Sequence, residues 1–302
     1  MQRILKNNIL DKRNSSDIFN NLAESICLKM EVYSFKHPRP QSFSFPYTIK
    51  KYILKSATPK AWKKLIMTCK YFFLKNAVFP FAHLQAAGVE RWYDRHQIID
   101  TTKTIAKLCL YENLFGFPLT TISSLIPKLA ECSVKRLLIR GQNLTWKEYQ
   151  FLITSGSIEY FSFEKSTVKY SNGKMVILDK LLENLIIVRS ISVRLCNPSI
   201  FGPDTVKNMV KFLPNFKKIL VFVLDDLTEA FDISAFNDFI FQNETTEIRL
   251  GFDGIIPDAY KQKIDECCQK ILKNPPKERV RIWYPGMDKI QFRQLEKLYD
   301  QK

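Results

Sequence analysis

The stretch that decides the fold is VKRLLIRGQNLTWKEYQFLITSGSIEYFSF, residues 134–163. It begins with an apolar, β-branched run at residues 134–139, continues as a helical pattern over residues 145–154 and ends in a second apolar run at residues 158–163. Short apolar runs bounded by turn residues are typical of buried strands, and the pattern between them has the period of a helix. The stretch therefore predicts a strand, a helix and a second strand in succession.

The same alternation continues on both sides of this stretch. Apolar runs predict further strands at residues 105–110, 186–195, 216–224, 247–252 and 279–284. Helical patterns predict the helices between them at residues 176–185, 205–213, 233–242 and 257–272. Strand starts near residues 105, 134, 158, 187, 217, 247 and 279 are about 24 to 32 residues apart. This spacing is close to the period of roughly 20–29 residues in leucine-rich repeats.

Regular strand–helix alternation is compatible with a doubly wound sheet or with an open repeat array. A doubly wound sheet usually carries glycine-rich ligand contacts at its strand ends. The chain has only 9 glycines among 302 residues, and neither GxGxxG nor GxxxxGK[ST] occurs in it. We therefore predict an α/β fold in which residues 81–302 form an irregular, leucine-rich-repeat-like βα solenoid, with strands on one face and helices on the other.

Residues 45–74 hold the sharpest local pattern. Pro46 and Pro59 each lie where a first helical turn tolerates proline, and Thr58 can cap the second helix. Apolar residues recur at helical spacing in both segments: Ile49, Ile53 and Leu54 in the first, then Trp62, Leu65, Ile66, Cys69, Phe72 and Phe73. Short helices of this kind are not stable alone. We expect the two helices to pack on each other and on a further surface.

Residues 1–40 are expected to be a leader, in which residues 17–30 are compatible with one short amphipathic helix. The longest clean apolar run, residues 219–224, is far shorter than the roughly 20 residues of a membrane span. The 7 cysteines, an odd number without a CxxC pair, are typical of free thiols in a reducing compartment. We therefore expect no membrane partner and a cytoplasmic or nuclear location, or both.

The net charge of +16 is concentrated near the N-terminus. Residues 1–80 hold 15 Lys or Arg against four acidic residues, and residues 32–89 contain no acidic residue. Such an excess of basic residues either complements an acidic partner or simply forms the solvent-exposed faces of the helices. Its interleaved aromatics also resemble a single-strand nucleic-acid site, but Trp62 and Phe72 fall on the core-forming stripe. Nucleic-acid or acidic-surface binding through residues 32–89 is therefore the alternative function.

Groups suited to catalysis or metal binding are sparse. The three histidines have no partner at zinc-ligand spacing: His37, His83 and His96. For Cys267-Cys268 we expect one buried and one edge thiol, and for Asp225-Asp226 a polar turn after an apolar run. No GxSxG motif is present. We predict a non-catalytic protein without cofactor or metal; an α/β enzyme would require a deep pocket with convergent polar groups.

The segment FPYTIKKYILKSATPKAWKKLIMTCKYFF, residues 45–73, resembles an F-box. The positions that match the family pattern are Phe45-Pro46, Ile49, Ile53-Leu54, Thr58-Pro59, Trp62, Leu65, Cys69-Lys70 and Phe72. Phe45 replaces the usual leucine, and Thr58 replaces the usual acidic residue. Two downstream phrases, SSLIPKLAECSVKRLLI at residues 123–139 and FDISAFNDFIFQN at residues 231–243, resemble the large F-box families expanded in nematodes.

This resemblance implies a non-catalytic, substrate-recognition subunit of an SCF-type cullin–RING ubiquitin ligase. In such a complex, residues 41–80 would dock a Skp-type adaptor and through it the cullin scaffold, and residues 81–302 would bind an unidentified target protein. The implied adaptor-binding residues are Phe45, Pro46, Ile49, Ile53, Leu54, Pro59, Trp62, Leu65, Cys69 and Phe72. Trp62 and Phe72 would be shared between core and interface. The alternative is that all these residues are simply core of this chain.

Overall fold

The computed structural model describes residues 45–68, 70–88, 91–94, 97–101, 106–195, 197–216 and 218–301. The chain divides into two compact units, residues 1–50 and residues 51–302. The predicted leader, residues 1–40, lies outside the described residues.

Three helices precede the first described strand: α1 (Tyr47–Ser56), α2 (Pro59–Thr68) and α3 (Lys70–Lys75). Pro59 is the first residue of α2, as predicted, and Thr58 Oγ1 accepts a hydrogen bond of 3.3 Å from Ala61 N. This cap and the proline explain why a new helix starts directly after α1. The rings of Trp62 in α2 and Phe72 in α3 pack edge to face, with 6.0 Å between their centroids.

The second unit holds one large sheet. Within the described residues this sheet has eleven strands: β1 (Val78–Ala86), β2 (Arg91–Asp94), β3 (Gln97–Asp100), β4 (Lys107–Gly116), β5 (Leu129–Cys132), β6 (Arg136–Arg140), β8 (Tyr160–Glu164), β10 (Ser190–Arg194), β11 (Val221–Leu227), β12 (Glu247–Phe252) and β13 (Val280–Trp283). Two short strands pair separately from it: β7 (Asn143–Thr145) and β9 (Thr167–Lys169).

Helices alternate with these strands. They are α4 (Ile122–Leu125), α5 (Trp146–Ile153), α6 (Leu178–Leu182), α7 (Thr205–Phe212), α8 (Ile233–Gln242), α9 (Asp258–Lys273) and α10 (Lys289–Asp300). Helix α5 begins at a capping box, in which the Thr145 hydroxyl accepts from Glu148 N and the Glu148 carboxylate accepts from Thr145 N. This reciprocal pair satisfies two backbone donors and fixes the start of the helix.

Strands β4 to β13 follow chain order across the sheet. The neighbours β4, β6, β8, β10, β11, β12 and β13 are paired in that order, and every pair is parallel. A doubly wound sheet reverses its strand order at a switch point, and these strands show no reversal. The chain is therefore a mixed α/β protein with a large, mostly parallel sheet, in which the strands from β4 onward advance in one direction.

The other end of the sheet is antiparallel. Strand β1 pairs in parallel with β4, and β2 and β3 extend it as an antiparallel meander. The sequence analysis predicted no strand in this part of the chain, where β1 contains Pro80. The sheet thus begins at Val78, within the stretch 41–80 that was assigned to the helical motif.

One hydrophobic cluster joins the helices to one face of the sheet. Strand side chains alternate between the two faces, so Leu137 and Ile139 of β6 are buried while Arg136 is exposed. Tyr149 of α5 lies edge-on to Phe161 of β8, with ring centroids 6.3 Å apart. The helices therefore cover one face of the sheet. The opposite face, which we term the open face, carries the exposed and half-buried strand residues.

Each strand predicted at residues 105–284 overlaps an observed strand, and β12 and α8 have the predicted bounds. Strand β10 starts only at Ser190, although the apolar run begins at residue 186. The reason is a tight turn before the strand, in which Val188 N donates to Leu185 O at 3.1 Å. Apolar character alone thus overestimated the length of this strand.

The prediction of a polar turn at Asp225-Asp226 is wrong. Both residues lie inside β11, and the pairing register with β12 shifts between Leu224 and Leu227. Asp226 has a φ of 59°, in the left-handed region that a bulge requires. The aspartate pair is therefore a β-bulge inside a continuing strand.

In the described part of the chain, no helix has the length and apolar character that crossing a membrane requires.

Candidate functional site: two uncovered surfaces

A groove lies between the end of α1 and α2 in the second unit. It has a volume of about 510 Å³ and is lined by Tyr52, Ile53, Ser56, Ala57, Thr58, Ala61, Lys64 and Leu65. The Tyr52 side chain is 71 % exposed, and Ile53 and Leu65 are half-buried. Contiguous exposed apolar surface of this kind marks interaction sites in soluble domains. We term this surface the helical groove.

The residues predicted to bind an adaptor occupy different environments. Three are exposed in the first unit: Phe45, Pro46 and Ile49. Four are half-buried in the second unit: Ile53, Leu54, Pro59 and Leu65. Trp62 and Phe72 are buried, and Cys69 lies outside the described residues. The helical groove thus includes two of the predicted residues, Ile53 and Leu65.

Trp62 and Phe72 belong to the core of the second unit. Trp62 is 6 % exposed, and its Nε1 donates a hydrogen bond of 2.9 Å to Val78 O of β1. Phe72 is 1 % exposed. Neither ring is available for stacking on a base, which removes two aromatic side chains from the alternative nucleic-acid site.

The open face of the sheet carries three rows of side chains, which the strand register defines. Row one consists of Arg136, Tyr160, Ser190, Val221 and Glu247. Row two consists of Leu138, Ser162, Ser192, Val223, Arg249 and Arg281. Row three consists of Arg140, Glu164, Arg194 and Asp225. The centre of row two, at Ser162, Ser192 and Val223, has short side chains.

Ion pairs of alternating sign line both sides of this short-chain centre. In row three, Arg140 Nε lies 3.1 Å from Glu164 Oε2, and Arg194 Nη2 lies 3.3 Å from Asp225 Oδ2. Two further pairs precede row one: Lys135 with Glu112 at 3.8 Å and Arg189 with Glu159 at 3.5 Å. Exposed pairs contribute only about 0.2–1 kcal/mol each to stability. Their main effect is to cancel the charge of most groups on the open face.

Arg136 is an exception to this pairing. Its guanidinium carbon lies 4.8 Å from the centroid of the Tyr160 ring, a cation–π contact. No acidic side chain in the described part of the chain forms an ion pair with Arg136, although its neighbours Lys135 and Arg140 each have one. The Tyr160 side chain is 39 % exposed. The open face therefore presents one cation over an accessible aromatic ring.

Helix α10 covers the far end of the open face. Glu296 binds Arg281 through both oxygens, with Arg281 Nε 2.8 Å from Oε1 and Nη2 3.0 Å from Oε2. The Tyr299 hydroxyl donates to Glu247 Oε1. Its ring lies within cation–π distance of three guanidinium groups: Arg249, Arg279 and Arg281. The end of the chain thus contributes an acid and a tyrosine to rows one and two.

Burial acts to raise the pKa of Glu247, but hydrogen bonds from Tyr299 and Arg249 outweigh it and hold that pKa below its ordinary value. The same contact, together with burial, raises the pKa of Tyr299. Glu247 therefore stays ionised and Tyr299 stays protonated near neutral pH, which keeps the hydroxyl a donor to the carboxylate.

The expectation for Cys267-Cys268 is wrong, because both thiols are buried. Adjacent residues of a helix point in different directions, and α9 is flanked by both α8 and α10. Burial raises the pKa of Cys267 to about 12 and that of Cys268 further still.

Among the described residues, no group of three or more His, Cys, Asp or Glu side chains is placed to hold a metal ion.

We predict that Cys267 and Cys268 resist alkylation by iodoacetamide at pH 8 in the folded protein, because the reactive species is the thiolate and burial suppresses it. Mass spectrometry of the peptide that contains both residues measures the modification. The same protein in concentrated urea is the control, and there both thiols should react fully. Equal rates in the folded and unfolded protein would contradict the burial of these thiols.

Sequence reasoning did not find the functional candidates of the open face. Arg136, Tyr160 and Tyr299 had no motif, but a usable signal was present. In RLLIR, YFSFE and SISVR, the strands β6, β8 and β10, every second residue belongs to the open face, so period-two positions define the rows. The register that aligns these rows across strands is a property of the folded chain.

No protein-family model and no curated protein matches this chain.

Proposed function

We propose that this protein is a substrate-recognition subunit of an SCF-type cullin–RING ubiquitin ligase, acting in the cytoplasm or nucleus. In this proposal the helical groove docks a Skp-type adaptor, and the open face of the sheet holds a target protein. The protein itself carries out no chemistry. It raises the effective concentration of the target beside a ubiquitin-charged enzyme.

The observation that carries this proposal is the uncovered helical groove in a segment that resembles an F-box. Ile53 and Leu65 line the groove and are only half-buried within the chain. A partner helix laid into the groove would bury them, and apolar anchors at the centre of an interface usually carry most of its energy.

The strand order supports a leucine-rich-repeat-like solenoid for the remainder of the chain. Parallel strands that follow chain order are what stacked βα repeats produce. A second feature recurs along the sheet: residues with left-handed φ lie at the ends of β6 and β8 and inside β11, namely Gly141 at 59°, Lys165 at 45° and Asp226 at 59°. A similar backbone turn at corresponding positions of β6, β8 and β11, although not of β10 between them, is consistent with a repeating unit.

We predict that Ile53→Asp and Leu65→Asp each lower capture of a Skp-type adaptor at least tenfold, because a carboxylate in the groove would lose its hydration without a partner. Co-purification of the tagged full chain with purified adaptor measures the capture. Matched controls are Ile186→Asp and Leu119→Asp, since these side chains are 64 % and 76 % exposed and lie outside the groove.

The controls should capture the adaptor as the wild type does. Circular dichroism confirms that each variant is folded before capture is compared. The proposal is wrong if the folded wild type captures no adaptor, or if the groove variants capture as much adaptor as their controls.

A further inference from the structure

Most basic residues around the centre of the open face have an acidic partner in the described part of the chain. Four ion pairs join basic and acidic residues around the short-chain centre: Lys135–Glu112, Arg140–Glu164, Arg189–Glu159 and Arg194–Asp225. Arg136 lies among them and contacts the Tyr160 ring, but it has no acidic partner in the described part of the chain. A partner that brings a carboxylate completes the pattern, whereas a partner that brings a further cation is repelled.

The geometry of Arg136 suits a carboxylate. Its guanidinium carbon lies 4.8 Å from the centroid of the Tyr160 ring, and the guanidinium presents its N–H groups in a planar arrangement. Those N–H groups form a fork that matches the two oxygens of a carboxylate. Arg136, positioned by Tyr160, can therefore donate two hydrogen bonds to a carboxylate that a partner supplies.

At the other end of the same face, helix α10 provides an example of an arginine–carboxylate pair. Glu296 of this helix binds Arg281 of row two through both oxygens. Tyr299, three residues later and thus on the same side of the helix, contacts row one through Glu247. The chain's own contact therefore shows what the open face accepts: a helix that presents an acid and, one turn later, an aromatic residue.

The uncovered part of the open face has room for one more helix. Strands β6, β8, β10 and β11 are neighbours, and at roughly 4.8 Å between strands they span about 14 Å. A helix with its side chains is about 10 Å wide. The short side chains of Ser162, Ser192 and Val223 form the floor of this space, so larger side chains of a bound helix can enter between the rows.

We propose that the open face between β6 and β11 binds an acidic helical segment of the target protein, with a carboxylate held by Arg136. The inference rests on the proposed function, in which this face holds the target. Apolar side chains of the same helix lie over Ser162, Ser192 and Val223. We expect a protein helix rather than nucleic acid, because a helix can bring a single carboxylate to Arg136, whereas a strand of phosphates would also face the carboxylates of Glu164 and Asp225.

The test uses a phage-displayed library of helix-forming peptides about four turns long, selected on the full chain. We expect the selected peptides to share an aspartate or glutamate and to bind Arg136→Glu at least tenfold more weakly than wild type. Replacing that peptide acid with lysine should weaken binding to wild type and restore binding to Arg136→Glu. The matched control is Lys263→Glu, which makes the same change of net charge at an exposed position of α9.

Several results would overturn the inference. They are the recovery of no peptide, the recovery of peptides without an acid, equal binding to wild type and Arg136→Glu, and displacement of the peptide by a short single-stranded oligonucleotide. Adaptor capture is measured on the same samples and should be the same for wild type and Arg136→Glu. If adaptor capture persists while peptide binding fails, only this inference is wrong; if peptides bind but the adaptor is not captured, the ligase proposal is wrong.

Discussion

Replacing Phe231 with alanine is expected to lower the free energy of unfolding by about 3–5 kcal/mol. Phe231 is fully buried in the connection between β11 and α8. Its ring contacts the rings of Phe201, Phe236 and Phe252, with centroid distances of 5.7, 5.3 and 6.3 Å. These partners lie before α7, in α8 and in β12. One side chain thus joins three successive strand–helix segments, and its loss would leave a cavity between them.

Urea unfolding followed by circular dichroism measures this loss. Phe231→Leu should cost less than Phe231→Ala, because leucine fills most of the cavity. The control Ile255→Ala removes an apolar side chain that is 99 % exposed and should change stability by no more than about 0.5 kcal/mol. A loss below about 1 kcal/mol for Phe231→Ala would contradict the packing described for this ring.

The sequence predicted elements whose signals are local. Helix α8 has the predicted bounds, because Asp232 before it accepts a hydrogen bond from Ala235 N and caps its start. Strand β12 has the predicted bounds as well, since its apolar run and its strand pairing coincide. From β4 to β13, the strands β4, β6, β8, β10, β11, β12 and β13 lie side by side in chain order, so alternation along this part of the chain matches the order of the sheet.

Elements that depend on distant partners were not predictable in the same way. Strands β2 and β3 are four residues each, and they exist because β1 offers them an edge for pairing. Helix α10 buries only Gln291 and Leu295. The salt bridge between Glu296 and Arg281 of β13 adds a contact that its own sequence does not reveal.

The candidate surfaces also combine features that the local sequence reveals with features that depend on distant contacts. Trp62 and Leu65 lie on one apolar stripe, and the sequence treats them alike. The structure separates them, because β1 supplies a carbonyl for Trp62 Nε1 and leaves Leu65 at the groove. The role of Arg136 likewise depends on the register, since only pairing across strands shows that Lys135 and Arg140 have acidic partners while Arg136 has none among the described residues.

Gln142 is the site of the second large effect on stability, and we expect Gln142→Leu to lower the free energy of unfolding by about 3 kcal/mol. Gln142 is 3 % exposed. Its Nε2 donates to Phe117 O at 2.8 Å and to Thr120 O at 3.1 Å, and its Oε1 accepts from Ile122 N at 2.9 Å. Leucine has a similar volume but removes the amide partner of Thr120 O and Ile122 N, at about 1–3 kcal/mol for each unsatisfied group, whereas Phe117 O keeps its hydrogen bond from Thr120 N. Urea unfolding measures the loss.

The matched control is Gln150→Leu, the same substitution at an exposed position of α5, where we expect a change of no more than about 0.5 kcal/mol. The two variants separate the effect of a buried hydrogen-bonding amide from that of leucine itself. Hydrogen exchange adds a local reading, because the Ile122 amide loses its acceptor only in Gln142→Leu and should exchange faster there than in either the wild type or the control. If Gln142→Leu unfolds at the same urea concentration as Gln150→Leu, the amide of Gln142 does not hold the segment 117–122 against the strand ends.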